Sequence, residues 1–227
     1  MIKLPKDQLQ ALIAKNAAAL LEELCSDRSF VVNLGVGIPL LAVNYLHRDN
    51  IYIHTENGMV GVGPLAYGDQ VHPDLVNAGR QPVTETIGCS YIDASESFGM
   101  IRGGHIHAAV LGAFQVDEQA NIANWIIPGS TLLGVGGAMD LVAGARTVIV
   151  AMTQCNAGKP KLVHQCSLPI TAYHEADYVL TEFGLFHFVE GTPILEKIHP
   201  ELSVQDVRNA TEFDFSVADQ LSHTLLL

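Results

Sequence analysis

Glu56 is the side chain whose surroundings best suit chemistry. It follows a run of β-branched and aromatic residues, 50–55, which predicts a β-strand. It precedes Asn57-Gly58, a strong turn signal, and two further glycines within residues 58–63. We therefore expect Glu56 at the C-terminal end of a strand, where open α/β sheets place their ligand crevices. The alternative is a solvated carboxylate that only enters a hairpin turn.

The neighbours of Glu56 favour a nucleophile over a general acid or base. A glutamate is ordinarily ionised at neutral pH and can attack an electrophile without a neighbouring base. A general acid or base would need an apolar pocket that raises its pKa towards neutrality. Glu56 instead lies between the polar residues Thr55 and Asn57.

A glycine-rich turn, residues 134–137, is the second candidate element. It precedes Ala138, Met139 and Asp140, and the pattern predicts a helix that begins here and continues to about Ala143. Glycines at a helix start leave backbone N–H groups free to point at an anion. The alternative is a tight turn that needs glycine only for its positive φ.

Several familiar sites are excluded by the spacing of the residues. His174-Glu175 has no second histidine for a helical zinc motif, and the chain contains no GxxxxGK[ST]. The pair Gly35 and Gly37 lacks the third glycine of a dinucleotide fingerprint. We expect His105 and His107, near the start of a predicted strand, not to share a metal ion. We expect no metal.

Composition limits the class of protein. The chain has 227 residues, of which 48% are apolar and only 7% aromatic, as in a sheet covered by helices on both faces. A net charge of −12 argues against nucleic acid or an anionic membrane as partner, so an anionic ligand needs a local site. The absence of a signal sequence, a membrane span and CxxC pairs predicts a cytoplasmic protein with reduced thiols.

The order of the predicted elements indicates an α/β fold with a largely parallel sheet and one domain over residues 1–227. Strands and helices alternate almost throughout. The predicted helices cover residues 5–24, 39–46, 95–101, 138–143 and 203–209. The predicted strands cover residues 29–34, 50–55, 107–116, 147–152, 178–181 and 185–189, and residues 67–83 are predicted to form a long surface loop.

Six segments together resemble the successive motifs of class I CoA-transferases, specifically the β subunit of the 3-oxoacid or acetate/butyrate–acetoacetate type. In chain order they are Ile53-His54-Thr55-Glu56-Asn57-Gly58 with Gly61-Val62-Gly63-Pro64, His72-Pro73-Asp74-Leu75-Val76-Asn77-Ala78-Gly79, Met100-Ile101-Arg102-Gly103-Gly104-His105, Leu111-Gly112-Ala113-Phe114-Gln115-Val116-Asp117, Ala123-Asn124-Trp125 to Pro128-Gly129, and residues 134–142. They occur in the family's order over roughly residues 30–185.

The resemblance implies a fold, a reaction and a partner. The fold is a three-layer α/β/α arrangement. The reaction transfers CoA from an acyl-CoA to a short-chain carboxylic or 3-oxo acid by a ping-pong mechanism, through a glutamyl-CoA thioester on the family's S-E-N-G glutamate, here Glu56. Coenzyme A is a substrate and no cofactor is permanently bound. An α subunit contributes much of the CoA site in an expected α₂β₂ assembly.

The resemblance also assigns roles to backbone groups beside Glu56. Gly137 and Ala138 are expected to lie against the reacting carbonyl and donate to its oxyanion, and Asn57 to help bind the substrate. Gly58 and Gly136 are expected to contact CoA.

This chain departs from the family's pattern at three positions, which bear on substrate choice. Thr55 replaces the usual serine, His107 an aspartate and Val135 a methionine. Two other functions remain open. A thioester hydrolase would use Glu56 with water as the acceptor, whereas a metabolite-sensing module would have no use for Glu56.

Overall fold

The computed structural model describes residues 2, 4–26, 28–129 and 134–226. The α-helices in this part are α1 (Lys6–Leu24), α2 (Ile38–Leu41), α3 (Ala94–Arg102), α4 (Ala138–Gly144) and α5 (Val204–Asn209), with 3-10 helices at Ala42–Tyr45 and Gly68–Gln70. The strands are β1 (Phe30–Leu34), β2 (Ile51–Thr55), β3 (Met59–Leu65), β4 (Val83–Tyr91), β5 (Ala108–Leu111), β6 (Gln115–Asp117), β7 (Ile122–Ala123), β8 (Val148–Ala151), β9 (Cys155–Asn156), β10 (Lys159–Pro160), β11 (Leu162–Val163), β12 (Tyr178–Leu180), β13 (Gly184–Val189), β14 (Thr192–Ile198) and β15 (Ser216–Ser222).

Ten strands form one mixed sheet in the order β15-β14-β13-β12-β8-β5-β1-β2-β3-β4. The five central strands, β12-β8-β5-β1-β2, are all mutually parallel, whereas β3, β4 and β13 pair antiparallel with their neighbours. The predicted α/β class with a parallel centre is confirmed. Because parallel strands end at one edge, the carboxyl ends of β1, β2, β5 and β8 lie side by side.

Alternate side chains of the central strands enter two different cores, one on each face of the sheet. On one face, Ala109 and Val150 pack with Ile101 of α3 and Leu141 of α4. On the other, Val110, Ile149 and their neighbours pack with the buried side of α1. Since a strand directs successive side chains to opposite faces, this alternation produces the expected three layers.

The predicted strand over residues 107–116 is wrong in its second half. Strand β5 ends at Leu111, and Gln115 begins β6, which belongs to a separate three-stranded sheet with β7 and β11. The backbone N–H of Phe114 already donates to Ala123 across this second sheet. The break opens space directly beyond the end of β5.

The β3–β4 end of the sheet contains strands that the sequence pattern does not reveal. In β3, two glycines and a proline interrupt the apolar run, and in β4 most side chains are exposed.

The second predicted helix is also shorter than expected, because α2 gives way to the 3-10 helix at residue 42. Helix α5 is confirmed with its N-cap: Ser203 and Asp206 form a reciprocal capping box.

Helices α3 and α4 approach each other very closely at Gly144. A Cβ atom at this position would lie 2.3 Å from the carbonyl oxygen of Ile101. Only glycine therefore permits this spacing between the last turn of α4 and α3. The contact fixes where the first turn of α4, and hence residue 137, lies relative to the sheet.

No helix among the described residues has both the length and the apolar character needed to cross a membrane.

Candidate functional site

Glu56 lies at the carboxyl end of β2, in the turn that joins β2 to β3. The turn is closed by a hydrogen bond from the N–H of Gly58 to the carbonyl of Thr55, 3.0 Å long. The Glu56 side chain is half-buried. The strand-end position predicted for this carboxylate is thus confirmed.

A cavity of about 620 Å³ opens at the carboxyl ends of β1, β2, β5 and β8, and Glu56 is its only acidic described lining residue. The loop before α4, the segment 77–79 and residues 112–114 beyond β5 form other parts of its wall. This is the edge of a parallel sheet at which α/β proteins bind their ligands. The break after β5 contributes directly to the space.

The glycine turn before α4 lies against the Glu56 side chain. A Cβ atom at Gly137 would be 3.3 Å from Cγ and 3.5 Å from Oε1 of Glu56. Gly136, Gly137 and Ala138 all line the cavity. Gly136 has a φ of +55°, so this turn needs glycine there for its conformation as well.

The backbone N–H groups of Gly137 and Ala138, both expected to be free, differ in their hydrogen bonding. The N–H of Ala138 donates to the carbonyl of Val135, 3.2 Å away, and is therefore engaged within the turn. The N–H of Gly137 has no backbone acceptor among the described residues. Gly137 is thus the better placed of the two to offer an unpaired donor beside Glu56.

Three buried polar side chains surround the Glu56 residue. Nδ2 of Asn33 donates to Oε2 of Glu56 at 3.2 Å and also lies 3.2 Å from Nδ1 of His54. Nε2 of His54 is 2.8 Å from Oγ of Ser97, which in turn donates to the main-chain carbonyl of Glu56 at 2.9 Å. Burial lowers the pKa of His54 to about 4, so this imidazole is neutral near pH 7.

Sequence reasoning missed Asn33, His54 and Ser97. A signal for the first was present, because Asn33 interrupts the apolar run of β1. Asn33 pairs with His54 in the parallel register of β1 and β2. His54 lies in β2 two residues before Glu56, and Asn33 bridges its ring to the Glu56 carboxylate. Ser97 comes from α3, and only the folded structure brings it here.

Thr55 and Asn57 attach the long loop 67–83 to the turn that contains Glu56. Oγ1 of Thr55 accepts from the N–H of Ala78 at 2.9 Å and donates to Oδ1 of Asn57 at 2.8 Å. Nδ2 of Asn57 donates to the carbonyl of Val76 at 2.9 Å. The hydroxyl that Thr55 shares with serine therefore fixes a segment that lines the cavity.

Asn57 and Gly58 are not among the described residues that line the cavity. Gly58 has a φ of +118°, and a Cβ atom there would lie 2.2 Å from the carbonyl oxygen of Ile92. The turn and its packing therefore account for this glycine. Contacts of Asn57 with substrate and of Gly58 with CoA remain predictions that this geometry does not support.

The other two departures from the family's pattern lie in different places. Val135 lines the cavity. His107 precedes β5, where its Nδ1 accepts from the N–H of Val31 at 3.0 Å. This is the amino end of the central strands, opposite the cavity, so His107 has no contact with the candidate site.

Two lysines are the only cationic side chains among the described residues of the cavity wall, Lys6 and Lys161. Burial lowers the pKa of Lys161 to about 8, while the nearby Glu182 opposes that shift. In a chain of net charge −12, these ammonium groups provide local positive charge for an anionic ligand.

The described part of the chain contains no group of three or more His, Cys, Asp or Glu side chains arranged to hold a metal ion.

Comparisons with known proteins agree on one family. The family model for coenzyme A transferase matches residues 17–210. The beta subunit of the acetate CoA-transferase of Escherichia coli (strain K12) is 45% identical over 194 residues, 85% of this chain and 88% of that relative. One subunit of the probable succinyl-CoA:3-ketoacid coenzyme A transferase of Bacillus subtilis (strain 168) is 41% identical over 192 residues, 84% and 89% of the two chains.

A solved structure shows the same fold at much lower sequence identity. The glutaconate coenzyme A-transferase of Acidaminococcus fermentans superposes with a TM-score of 0.71, covering 99% of this chain and 90% of that one. Its sequence identity is 17%, so this likeness concerns the fold alone.

Proposed function

Because the chain belongs to the coenzyme A transferase family, we propose that it carries the nucleophile of an enzyme that transfers CoA from an acyl-CoA to a short-chain carboxylic or 3-oxo acid. Relatives named as acetate and succinyl-CoA:3-ketoacid CoA-transferases support the reaction class. They differ in their named acids, so both kinds of acid belong in a test of this chain.

The observation that carries the proposal is the position of Glu56 in the cavity, beside the backbone of Gly137. A half-buried carboxylate held by Asn33 is available to attack a thioester bound against this wall. The nearby backbone N–H of Gly137 would donate to the oxyanion that forms on the attacked carbonyl. The N–H of Ala138 could assist only by sharing its bond with Val135.

The proposed reaction balances without any further reactant. The Glu56 carboxylate adds to the thioester carbonyl, and loss of the CoA thiolate leaves an anhydride between Glu56 and the acyl group. The thiolate then adds to the glutamyl carbonyl, which releases the first acid as a carboxylate and leaves CoA on Glu56 as a thioester. A second acid takes the CoA by the same two steps in reverse.

Both sequence relatives are named as single subunits of their enzymes, the first as a beta subunit, which supports a second polypeptide as the partner of this chain. We propose that this partner, the α subunit, completes the CoA site and that the assembly is α₂β₂. No resident cofactor or metal takes part in the proposed steps, since the nucleophile, the oxyanion donor and the leaving thiolate suffice.

The decisive experiment looks for CoA on Glu56. The two-subunit enzyme is incubated with acetoacetyl-CoA or succinyl-CoA without an acceptor acid, digested, and analysed by mass spectrometry. We expect a CoA-sized mass gain on the peptide containing Glu56 in the wild type, and none in Glu56→Gln. An adduct on another residue, or none in a single turnover, would reject the proposal.

The same incubation separates the transferase from the hydrolase that uses the same glutamate. A transferase stops after one equivalent of acid is released per site, because no acceptor resolves the thioester. Continuous release of free CoA would instead identify water as the acceptor. A metabolite sensor would form no adduct, and Glu56→Gln would leave its ligand affinity unchanged.

A further inference from the structure

His54 and Ser97 have no part in the proposed steps, yet both are buried beside the nucleophile. These residues are 1% and 0% exposed, respectively. Burying polar groups is costly unless their hydrogen bonds are satisfied, so their contacts here call for an explanation. Those contacts lead from the Glu56 side chain back to the Glu56 main chain.

The direction of each hydrogen bond follows from the Glu56 carboxylate. An ionised carboxylate only accepts, so Asn33 must present its NH₂ group, and not its oxygen, to Oε2 of Glu56. The same NH₂ group also lies 3.2 Å from Nδ1 of His54. Nδ1 must therefore be the unprotonated acceptor of the ring.

The remaining bonds are then fixed in turn. A neutral imidazole with an unprotonated Nδ1 carries its proton on Nε2. Nε2–H donates to Oγ of Ser97, and the Ser97 hydroxyl donates to the main-chain carbonyl of Glu56. The four residues form a closed ring of hydrogen bonds that begins and ends at Glu56.

This orientation of the Asn33 amide leaves one of its atoms without a partner. Oδ1 of Asn33 is buried and has no hydrogen-bond partner among the described residues. Turning the amide over would place that oxygen against the Glu56 carboxylate, which also only accepts. The amide therefore donates one N–H to Glu56 and the other to His54, and its oxygen is left unpaired among the described residues.

Building on the proposed function, we propose that His54 is a positioning residue. Its neutral Nε2–H form aligns Asn33 and Ser97, and these two residues hold the carboxylate and the main chain of Glu56 in the attacking geometry. His54 does not contact the reacting atoms. It acts through Asn33 on the carboxylate and through Ser97 on the turn. Small displacements of a reacting group have large effects on rate, so this restraint should be visible in kcat.

The alternative is that His54 only fills space in the core. This alternative makes the opposite prediction for two substitutions. Gln can accept from Asn33 with its oxygen and donate to Ser97 with its nitrogen, so His54→Gln preserves the polarity of the ring. His54→Leu keeps much of the volume but removes both bonds, which leaves buried polar groups of Asn33 and Ser97 with fewer partners and should also lower folding stability.

The test compares His54→Gln and His54→Leu in the two-subunit enzyme, with His107→Gln as a control at the opposite end of the sheet. The measurements are kcat, the KM for acyl-CoA, the rate of thioester formation in one turnover, and the melting temperature. A nitrogen NMR spectrum of selectively ¹⁵N-histidine-labelled enzyme, assigned with the His54→Gln variant, reports the protonated ring nitrogen without any need for turnover.

We expect His54→Gln and His107→Gln to keep kcat within about threefold, and His54→Leu to lose about ten- to hundredfold in kcat with little change in KM. His54→Leu should melt lower than His54→Gln but remain folded at the assay temperature, and the spectrum should show a protonated Nε2. A protonated Nδ1, a kcat of folded His54→Leu within about threefold of the wild type, or a His54→Gln variant as slow as His54→Leu, would overturn the inference. Failure of the proposed function is distinct, because the wild type would then form no thioester.

Discussion

Gly137 and Glu56 lie so close that a single added methyl group at residue 137 would be 3.3 Å from Cγ of the glutamate. The two residues come from different layers of the fold, since Glu56 ends a central strand and Gly137 precedes α4. The backbone of Gly137 has a φ of −83° and a ψ of 3°, which any residue can adopt. The need for glycine here is therefore one of space beside the Glu56 side chain.

The first prediction follows from that space. Gly137→Ala should lower kcat about tenfold and Gly137→Val about a hundredfold or more, because each side chain displaces Glu56 or blocks the reacting carbonyl. Binding of CoA, measured by calorimetry, should stay nearly unchanged. Gly99→Ala on α3 is the matched control, since a Cβ atom there meets no atom of the described residues within 4 Å.

The opposite pattern would assign Gly137 to binding. A near-normal kcat with a raised KM for acyl-CoA in Gly137→Ala would show that this turn holds the substrate and does not stabilise the transition state.

The second prediction concerns the nucleophile. Glu56→Gln should abolish turnover, because a neutral amide cannot attack the thioester. Glu56→Asp should also be severely impaired, since it withdraws the carboxylate by one methylene from the bound carbonyl and from Asn33. The wild type should give parallel double-reciprocal lines, and intersecting lines would indicate direct transfer between two bound substrates.

The third prediction is a pH dependence of stability. Burial holds the pKa of His54 at about 4 in the folded chain, against about 6.5 when unfolded. Between these values the unfolded chain binds the extra proton, so stability falls as pH decreases from 6.5 towards 4, by about 3 kcal/mol in full. His54→Gln should lose less melting temperature over this range than the wild type.

The exposed His223 provides the control for that measurement. His223→Gln should follow the wild-type pH profile of melting temperature. Equal profiles for the wild type and His54→Gln would show that His54 is protonated as readily in the folded chain as in the unfolded one.

The fourth prediction concerns the attachment of the loop 67–83. Thr55→Val removes the acceptor of the Ala78 N–H and should destabilise the fold by about 1–3 kcal/mol. Loosening the adjoining cavity wall should also raise the KM for acyl-CoA. Thr55→Ser keeps the hydroxyl and should stay within about 1 kcal/mol of the wild type. Urea unfolding measures the stabilities of the wild type, Thr55→Ser and Thr55→Val. Equal stabilities of the two variants would contradict this role for the hydroxyl.

The strand-end position of Glu56 could be predicted from sequence because its signals are local. A β-branched run followed by Asn57-Gly58 specifies a strand and a turn within a few residues, and so places Glu56 at a strand end. The same reasoning located the turn before α4. In both cases the backbone conformation depends mainly on neighbouring residues.

The features that depend on distant segments could not be predicted in the same way. The residues of β5 and β6 form one apolar run, and only pairing with β7 and β11 divides them into two sheets. Gly58 and Gly136 look equivalent in the sequence, yet Gly58 packs on the Ile92 carbonyl while Gly136 faces open space. Likewise, Ser97 reaches Glu56 only because α3 packs over the parallel strands.

The contact between Gly144 and the carbonyl of Ile101 suggests a route to engineering this protein that leaves every reactive group in place. Any side chain at residue 144 must shift either the end of α4 or the backbone of α3 at Ile101, and a shift of α4 can reach Gly137 at the other end of that short helix. Evolution or design could therefore tune reactivity from a position outside the cavity wall. A substitution at residue 144 would then change the catalytic rate, although no chemical group at the site has been altered.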